Sequence, residues 1–151
     1  MKRELIRLSL CLLAAGFAAG ARADLDGFLR DVNVQARTDM HGFSLRIAAQ
    51  FGVPEAQVQA VITRVDGPAD VFMVFQIGHW TGRPPGEIVG VYHTSKGKGW
   101  GAIARQLGIR PGSAEFHALR RGDLVFTGRP GAGPERRGGK GAGKGRGKAG
   151  D

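Results

Sequence analysis

The chain of 151 residues holds a single cysteine, Cys11, and it falls inside an N-terminal leader. If the leader is removed the working protein has no thiol. A disulfide scaffold, a thiolate nucleophile, a redox pair and a cysteine zinc site are then excluded together, and stability has to come from an apolar core. Aromatic residues are also scarce, with eight Phe, two Trp and one Tyr. The longest apolar run, residues 8–19, is too short to span a bilayer comfortably. Acidic groups are outnumbered, 13 against 22 basic ones.

The leader itself has the layout of an export signal. Lys2, Arg3 and Arg7 form a positive start, the apolar run follows, and Ala21-Arg22-Ala23 offers a small-x-small cleavage site. This predicts a mature chain beginning at Asp24, periplasmic or secreted, with no integral membrane span after cleavage. Cys11 does not read as a lipid site, because Leu10 precedes it where a small residue is expected. The leader holds no twin-arginine pair, so general secretion is the expected route.

Charge is concentrated at the two ends. Residues 1–23 carry four basic groups and one acidic, and residues 129–151 carry seven and two. Eleven and ten remain for residues 24–128, a net charge of +1. The alkaline character therefore belongs to the ends and not to the central region, which removes the simplest case for a nucleic-acid-binding domain. The last 23 residues, RPGAGPERRGGKGAGKGRGKAGD, contain no aliphatic side chain larger than alanine. They cannot bury enough surface to offset chain entropy, and a disordered basic tail is expected from Arg129 onward. Its partners by charge would be anionic envelope polymers or extracellular nucleic acid.

Between the ends one pattern occurs three times: AAQFGVPEAQVQAVI from Ala48, GHWTGRPPGEIVGVY from Gly78, and ARQLGIRPGSAEFHAL from Ala104. Each has a small residue four before a glycine, then a proline, then a glutamate and apolar positions at helical spacing. Gly52, Gly82 and Gly108 suit the left-handed residue that closes a helix. Pro54, Pro84 or Pro85, and Pro111 with Ser113 suit the opening of the next, with Glu55, Glu87 and Glu115 near its positive end. The expectation is all-α: a compact bundle of about six short helices forming three helix-turn-helix hairpins. First helices are predicted at 39–51, 69–80 and 99–107, second helices at 54–65, 85–95 and 113–120. Residues 71–75, Val-Phe-Met-Val-Phe, fit either a strand or a helix buried on all sides, and the repeat favours a central helix. Residues 25–36 and 124–126 are ambiguous. Val32 and Val34 alternate as in a strand, so short extended segments at the two ends that pair weakly are an alternative.

The stretch from Lys96 to Asp123 is the densest in chemistry-bearing residues. Lys96, Gly97, Lys98 and Gly99 precede a helix, where amides and ammonium groups could converge on an anion. The competing explanation is a glycine connector that lets Trp100 dock. The segment is neither a Walker A loop nor a dinucleotide fingerprint, since no Gly-Lys-Ser/Thr follows and the glycine spacing is wrong. Arg110, Arg120 and Arg121, with His117, would lie near the second helix of a DNA-reading motif. The same grammar occurs three times, however, and that argues for a packing device. His41, His79, His93 and His117 are dispersed, with no metal-ligand spacing. Glu55, Glu87 and Glu115 could serve as paired carboxylates for glycoside hydrolysis, but helix starts already account for them. Ser95 and Ser113 lack a nucleophile-elbow context. No catalytic residue, metal or cofactor is predicted.

The blocks FGVPEAQVQAVI, PADVFMVFQIG and PPGEIVGVYHTSKGKGWGAIARQLGIRPGSAEFHALRRGD resemble a group of small exported bacterial proteins of unknown function that often carry a Gly/Lys-rich end. The resemblance implies a periplasmic or secreted helical domain and carries over no catalytic residue. The expected organisation is a signal at 1–23, a helical domain at 24–128 and a basic tail at 129–151. The expected role is that of an exported, non-catalytic binding or structural protein of the envelope. A nucleic-acid- or phosphate-binding helix-turn-helix protein is the alternative, and a cell-wall hydrolase the third option.

Overall fold

The computed structural model describes residues 24–128. The signal expected at 1–23 and the tail expected at 129–151 lie outside the described residues, as does the Lys96 side chain. Among the described residues the chain is all-α, with seven α-helices, one 3-10 turn and no strand.

The first helix corrects the reading of residues 25–36. α1 runs Leu25–Thr38, opened by Asp24, whose carboxylate accepts a hydrogen bond from the Gly27 amide at 2.7 Å. Val32 is 1% exposed and Val34 63%, so the two valines lie on different faces, as residues two apart do on a helix and do not on a strand. Leu25, Phe28, Leu29, Val32 and Ala36 recur at helical spacing and face the core. α2 (Met40–Phe51) follows after one residue. Asp39 ends α1 in an extended conformation and caps α2 by accepting from the Gly42 amide at 2.8 Å.

The three hairpins are present. α2 packs on α3 (Glu55–Ile62), α4 (Pro68–Thr81) on α5 (Pro85–Ser95), and α6 (Trp100–Gln106) on α7 (Ala114–Arg121). Gly52 and Gly82 close α2 and α4 with φ of 65° and 68°, and Gly108 takes φ 97° in the turn after α6. α3 stops at Ile62, short of the predicted 65, because Gly67 and Pro68 already begin α4.

α4 is the central helix. Residues 71–78 are buried without interruption, and α1, α2, α3 and α5 all pack against it. The lack of periodicity in Val71–Phe75 is therefore what a helix enclosed on every side requires. Phe72 shows the packing, with ring centroids 5.0 Å from Phe28, 5.8 Å from Phe51 and 5.9 Å from Phe126. One polar residue sits in this wall. Gln76 is 1% exposed, and neither atom of its amide has a hydrogen-bond partner.

Residues 124–126 form no strand with residues 25–36. Gln50, buried on α2, does the pairing instead. Its amide nitrogen donates to the Val125 carbonyl at 2.7 Å, and its oxygen accepts from the Thr127 and Gly128 amides at 3.1 and 3.2 Å. One side chain thus satisfies three backbone groups of an extended segment, and Phe126 is held between Phe43, Phe72 and the Arg46 guanidinium. The two ends of the described chain do meet, at Gly122. A Cβ there would lie 2.5 Å from the Asp24 carbonyl oxygen.

Gly52 and Gly122 share φ 65°, yet nothing lies within 4 Å of a Cβ at Gly52. Gly52→Ala is expected to cost about 1 kcal/mol of unfolding free energy from backbone strain alone. Gly122→Ala adds a collision with Asp24 and should cost clearly more; equal losses in denaturant titrations would contradict the close approach. Gln76→Met removes an unpaired buried amide worth about 1–3 kcal/mol at similar volume. It is expected to raise the melting midpoint, and a lowered midpoint would show that the amide is satisfied.

Candidate binding site

The glycine loop delivers a tryptophan. Lys96–Lys98 form the 3-10 turn, and Gly99, at φ 78°, opens α6 by accepting at its carbonyl from the Ala102 and Ile103 amides. The next residue, Trp100, is 7% exposed and stacks on Tyr92 of α5 with ring centroids 5.4 Å apart. Its indole Nε1 donates to Asp70 Oδ1 at 3.0 Å, and the Tyr92 hydroxyl lies 3.3 Å from Asp70 Oδ2 as donor. The same hydroxyl accepts from the Asp66 amide at 3.3 Å. One carboxylate in the first turn of α4 therefore joins α4, α5 and α6. Burial is the main influence on Asp70 and raises its pKa above the ordinary 3.8. Hydrogen bonds from Trp100 and Tyr92 oppose this rise, and the nearby Asp66 adds to it. Burial also raises the Tyr92 hydroxyl, so it remains a protonated donor.

The anion-site candidates separate in space. Gly97 lines a cleft of about 380 Å³ together with Asp66, Asp70, Tyr92 and Trp100, where the local charge is negative. Lys98 is exposed in the same turn. α6 has only seven residues, too short to supply a strong dipole, so the geometry of this loop matches a connector that docks Trp100. Arg110 lies at the far end of α6, in the turn of the third hairpin, and Arg120 and Arg121 lie in the last turn of α7. Arg121 is paired with Asp123 at 2.8 Å.

A second feature was not visible in the repeat itself: the turns of the three hairpins adjoin one another. Phe51 and Val53 of the first turn share a cleft of about 330 Å³ with Phe75, His79 and Arg83 around the second. On the other side of the second turn, Trp80 and Thr81 share a cleft of about 270 Å³ with Gly108, Arg110, Ser113 and Glu115 of the third. Arg83 is paired with Glu87 one helical turn on, whereas Arg110 makes no ion pair among the described residues.

The near-neutral charge of the described region conceals a polarity. Residues 24–95 carry five basic groups against eight acidic, and residues 96–128 six against two. Lys98, Arg105, Arg110, Arg120 and Arg121 are all exposed. The third hairpin is thus a basic unit directly preceding the tail. Among the described residues no three His, Cys, Asp or Glu side chains are placed to share a metal ion, and no helix is long and apolar enough to cross a membrane. No family model, curated protein or solved structure matches the chain.

Removing the Asp70 carboxylate strands the buried Trp100 N–H, so Asp70→Ala is expected to cost about 1–3 kcal/mol. Asp70→Asn keeps an acceptor for Trp100 and should cost less. Because the folded-state pKa is raised, Asp70 contributes stability below pH 3.8 that is lost as pH rises through the folded value. The asparagine variant should lack that decline. Unfolding free energies measured across a pH series test this, and parallel curves for the two proteins would contradict it.

Proposed function

We propose that the chain is an exported, non-catalytic binding protein of the bacterial envelope, whose basic C-terminal half holds anionic polymers. The observation that carries this reading is the charge polarity. Every described cation of residues 96–128 is exposed on or beside the last hairpin, and seven more basic groups follow in sequence at 129–151. Such an arrangement attracts a polyanion over a long contact through release of its counterions. A non-catalytic role is supported by how the carboxylates are committed. Both Asp70 oxygens are engaged by Trp100 and Tyr92, and Glu87 is held by Arg83. Export fits the first helix, because Asp24, the residue expected to follow the cleavage site, is itself the N-cap of α1. Cleavage there leaves the helix start intact.

One observation favours the helix-turn-helix alternative. α7 exposes Ala114, His117, Arg120 and Arg121, which share one helical face. N-terminal sequencing of the protein from fractionated cells separates the two readings. An exported form starting at or near Asp24 supports the first, and an intact Met1 on a cytoplasmic protein supports the second.

Affinity for anionic cell-wall polymer or DNA should fall steeply as salt rises. A chain ending at Gly128 is expected to lose most of the low-salt binding while keeping its helical circular dichroism and melting midpoint. Glutamine at Arg105, Arg110 and Arg120 in that shortened chain should remove the remainder. Binding that is insensitive to salt, or unchanged by either alteration, would overturn the polymer-binding role.

A further inference from the structure

We infer that His117 is a conditional cation of the polymer-binding surface, so that the basic hairpin holds an anionic polymer more tightly in acid than at alkaline pH. The inference rests on the polymer-binding role above. It assigns to that role a further binding residue on α7 and a regulation by pH.

The exposed residues of α7 are Ala114, His117, Arg120 and Arg121. At about 100° per residue, Arg120 lies one turn beyond His117 and about 60° to one side, and Arg121 about 40° to the other. His117 therefore occupies the middle of the outer face, with an arginine on each flank at a Cβ separation of about 5–6 Å. The opposite side of the helix is committed to packing, since Ala118 and Leu119 are buried. Nothing in the fold requires an imidazole at this position. His117 has no side-chain hydrogen bond, ion pair or ring contact among the described residues.

The charges around it leave the imidazole unclaimed. α7 packs on α6, which carries Arg105, and on α1, which carries Asp26, Arg30, Asp31 and Arg37 behind its cap Asp24. None of these is paired with His117. On its own helix Glu115 is two residues away and so turns to a different face, and Asp123 is held by Arg121 at 2.8 Å. The other three histidines belong to the acidic part of the chain. His41 lies 3.5 Å from Glu55, His79 meets the Phe51 ring and His93 the Tyr92 ring. His117 is the one histidine of residues 96–128, where basic groups prevail.

Histidine is the side chain whose charge changes between about pH 5 and 8. Protonation of His117 adds a third positive charge to the outer face of α7, and a polyanion lying across that face favours the protonated form. Binding thus takes up a proton, and by reciprocity acid strengthens binding. An exported protein meets the pH of its surroundings, so the polymer is retained in acid and loosened as the pH rises.

The test titrates the full chain onto duplex DNA, a polyanion of known charge spacing whose phosphodiesters do not titrate in this range. Affinities are measured over a series of salt concentrations at about pH 5.5 and about pH 8. In the parent protein the slope of log K against log salt should be steeper at the lower pH by about 0.9, the increment for one added cation. His117→Gln should lose that increment. His117→Lys should show the steeper slope at both pH values, which a merely structural role for the imidazole does not produce. Arg120→Gln should reduce the slope by a similar amount at both, and His41→Gln and His93→Gln should keep the parent's response to pH. His117 is exposed, so its two variants should melt with the parent. If DNA binds with steep salt dependence but His117→Gln responds to pH as the parent does, the role of His117 is overturned while the polymer-binding role stands. The same conclusion follows if His117→Lys remains as pH-dependent as the parent. If no salt-dependent binding occurs at either pH, both readings fail.

Discussion

The burial of α4 on every side is the constraint from which the rest of the structure follows. A helix without a solvent face has to be covered by several others, and α1, α2, α3 and α5 do so. Most of its side chains contribute only apolar volume. Its ends are where chemistry enters, with Asp70 in the first turn and His79 and Trp80 in the last. Those ends adjoin two distinct regions of the molecule: the acidic cleft beneath the glycine loop, and the edge formed by the turns.

Asp70 illustrates how one residue can satisfy local and long-range demands at once. An acidic side chain in a first turn is favourable to the helix dipole wherever it occurs. Here the same carboxylate also accepts from Trp100, 30 residues on, and pairs with Tyr92, 22 residues on. These bonds hold α5 and α6 in register against α4, and they engage both oxygens of a half-buried carboxylate. The cost is a carboxylate removed from water, visible in its raised pKa. Gln50 plays a comparable part at the other end of the chain, replacing a strand partner with a single amide.

The hairpin repeat has a consequence beyond packing. Because each unit turns at an equivalent glycine, stacking the units brings their turns together, with a cleft at each junction. Charge is distributed differently. It rises toward the C-terminal unit, so three similar scaffolds present different electrostatic surfaces, with the most basic one next to the tail.

Sequence alone determined the class of the fold, the three hairpins and nearly all helix limits, since glycine and proline signals act on the neighbouring backbone whatever the rest of the chain does. For the glycine loop it offered two readings, an anion site and a connector that docks Trp100. It left residues 25–36 ambiguous, where two β-branched valines obscured a longer helical period, and at Val71–Phe75 only the repeat favoured a helix, because a helix buried on all faces loses its periodicity. Only the tertiary structure decided that Trp100 meets Asp70, that Gln50 pairs with residues 125–128, that Gly122 abuts Asp24, and that Trp80 and Arg110 share a cleft. These are contacts between residues from 30 to 98 positions apart, and no local propensity encodes a partner at that distance. The partner is set by how the amphipathic faces stack around α4.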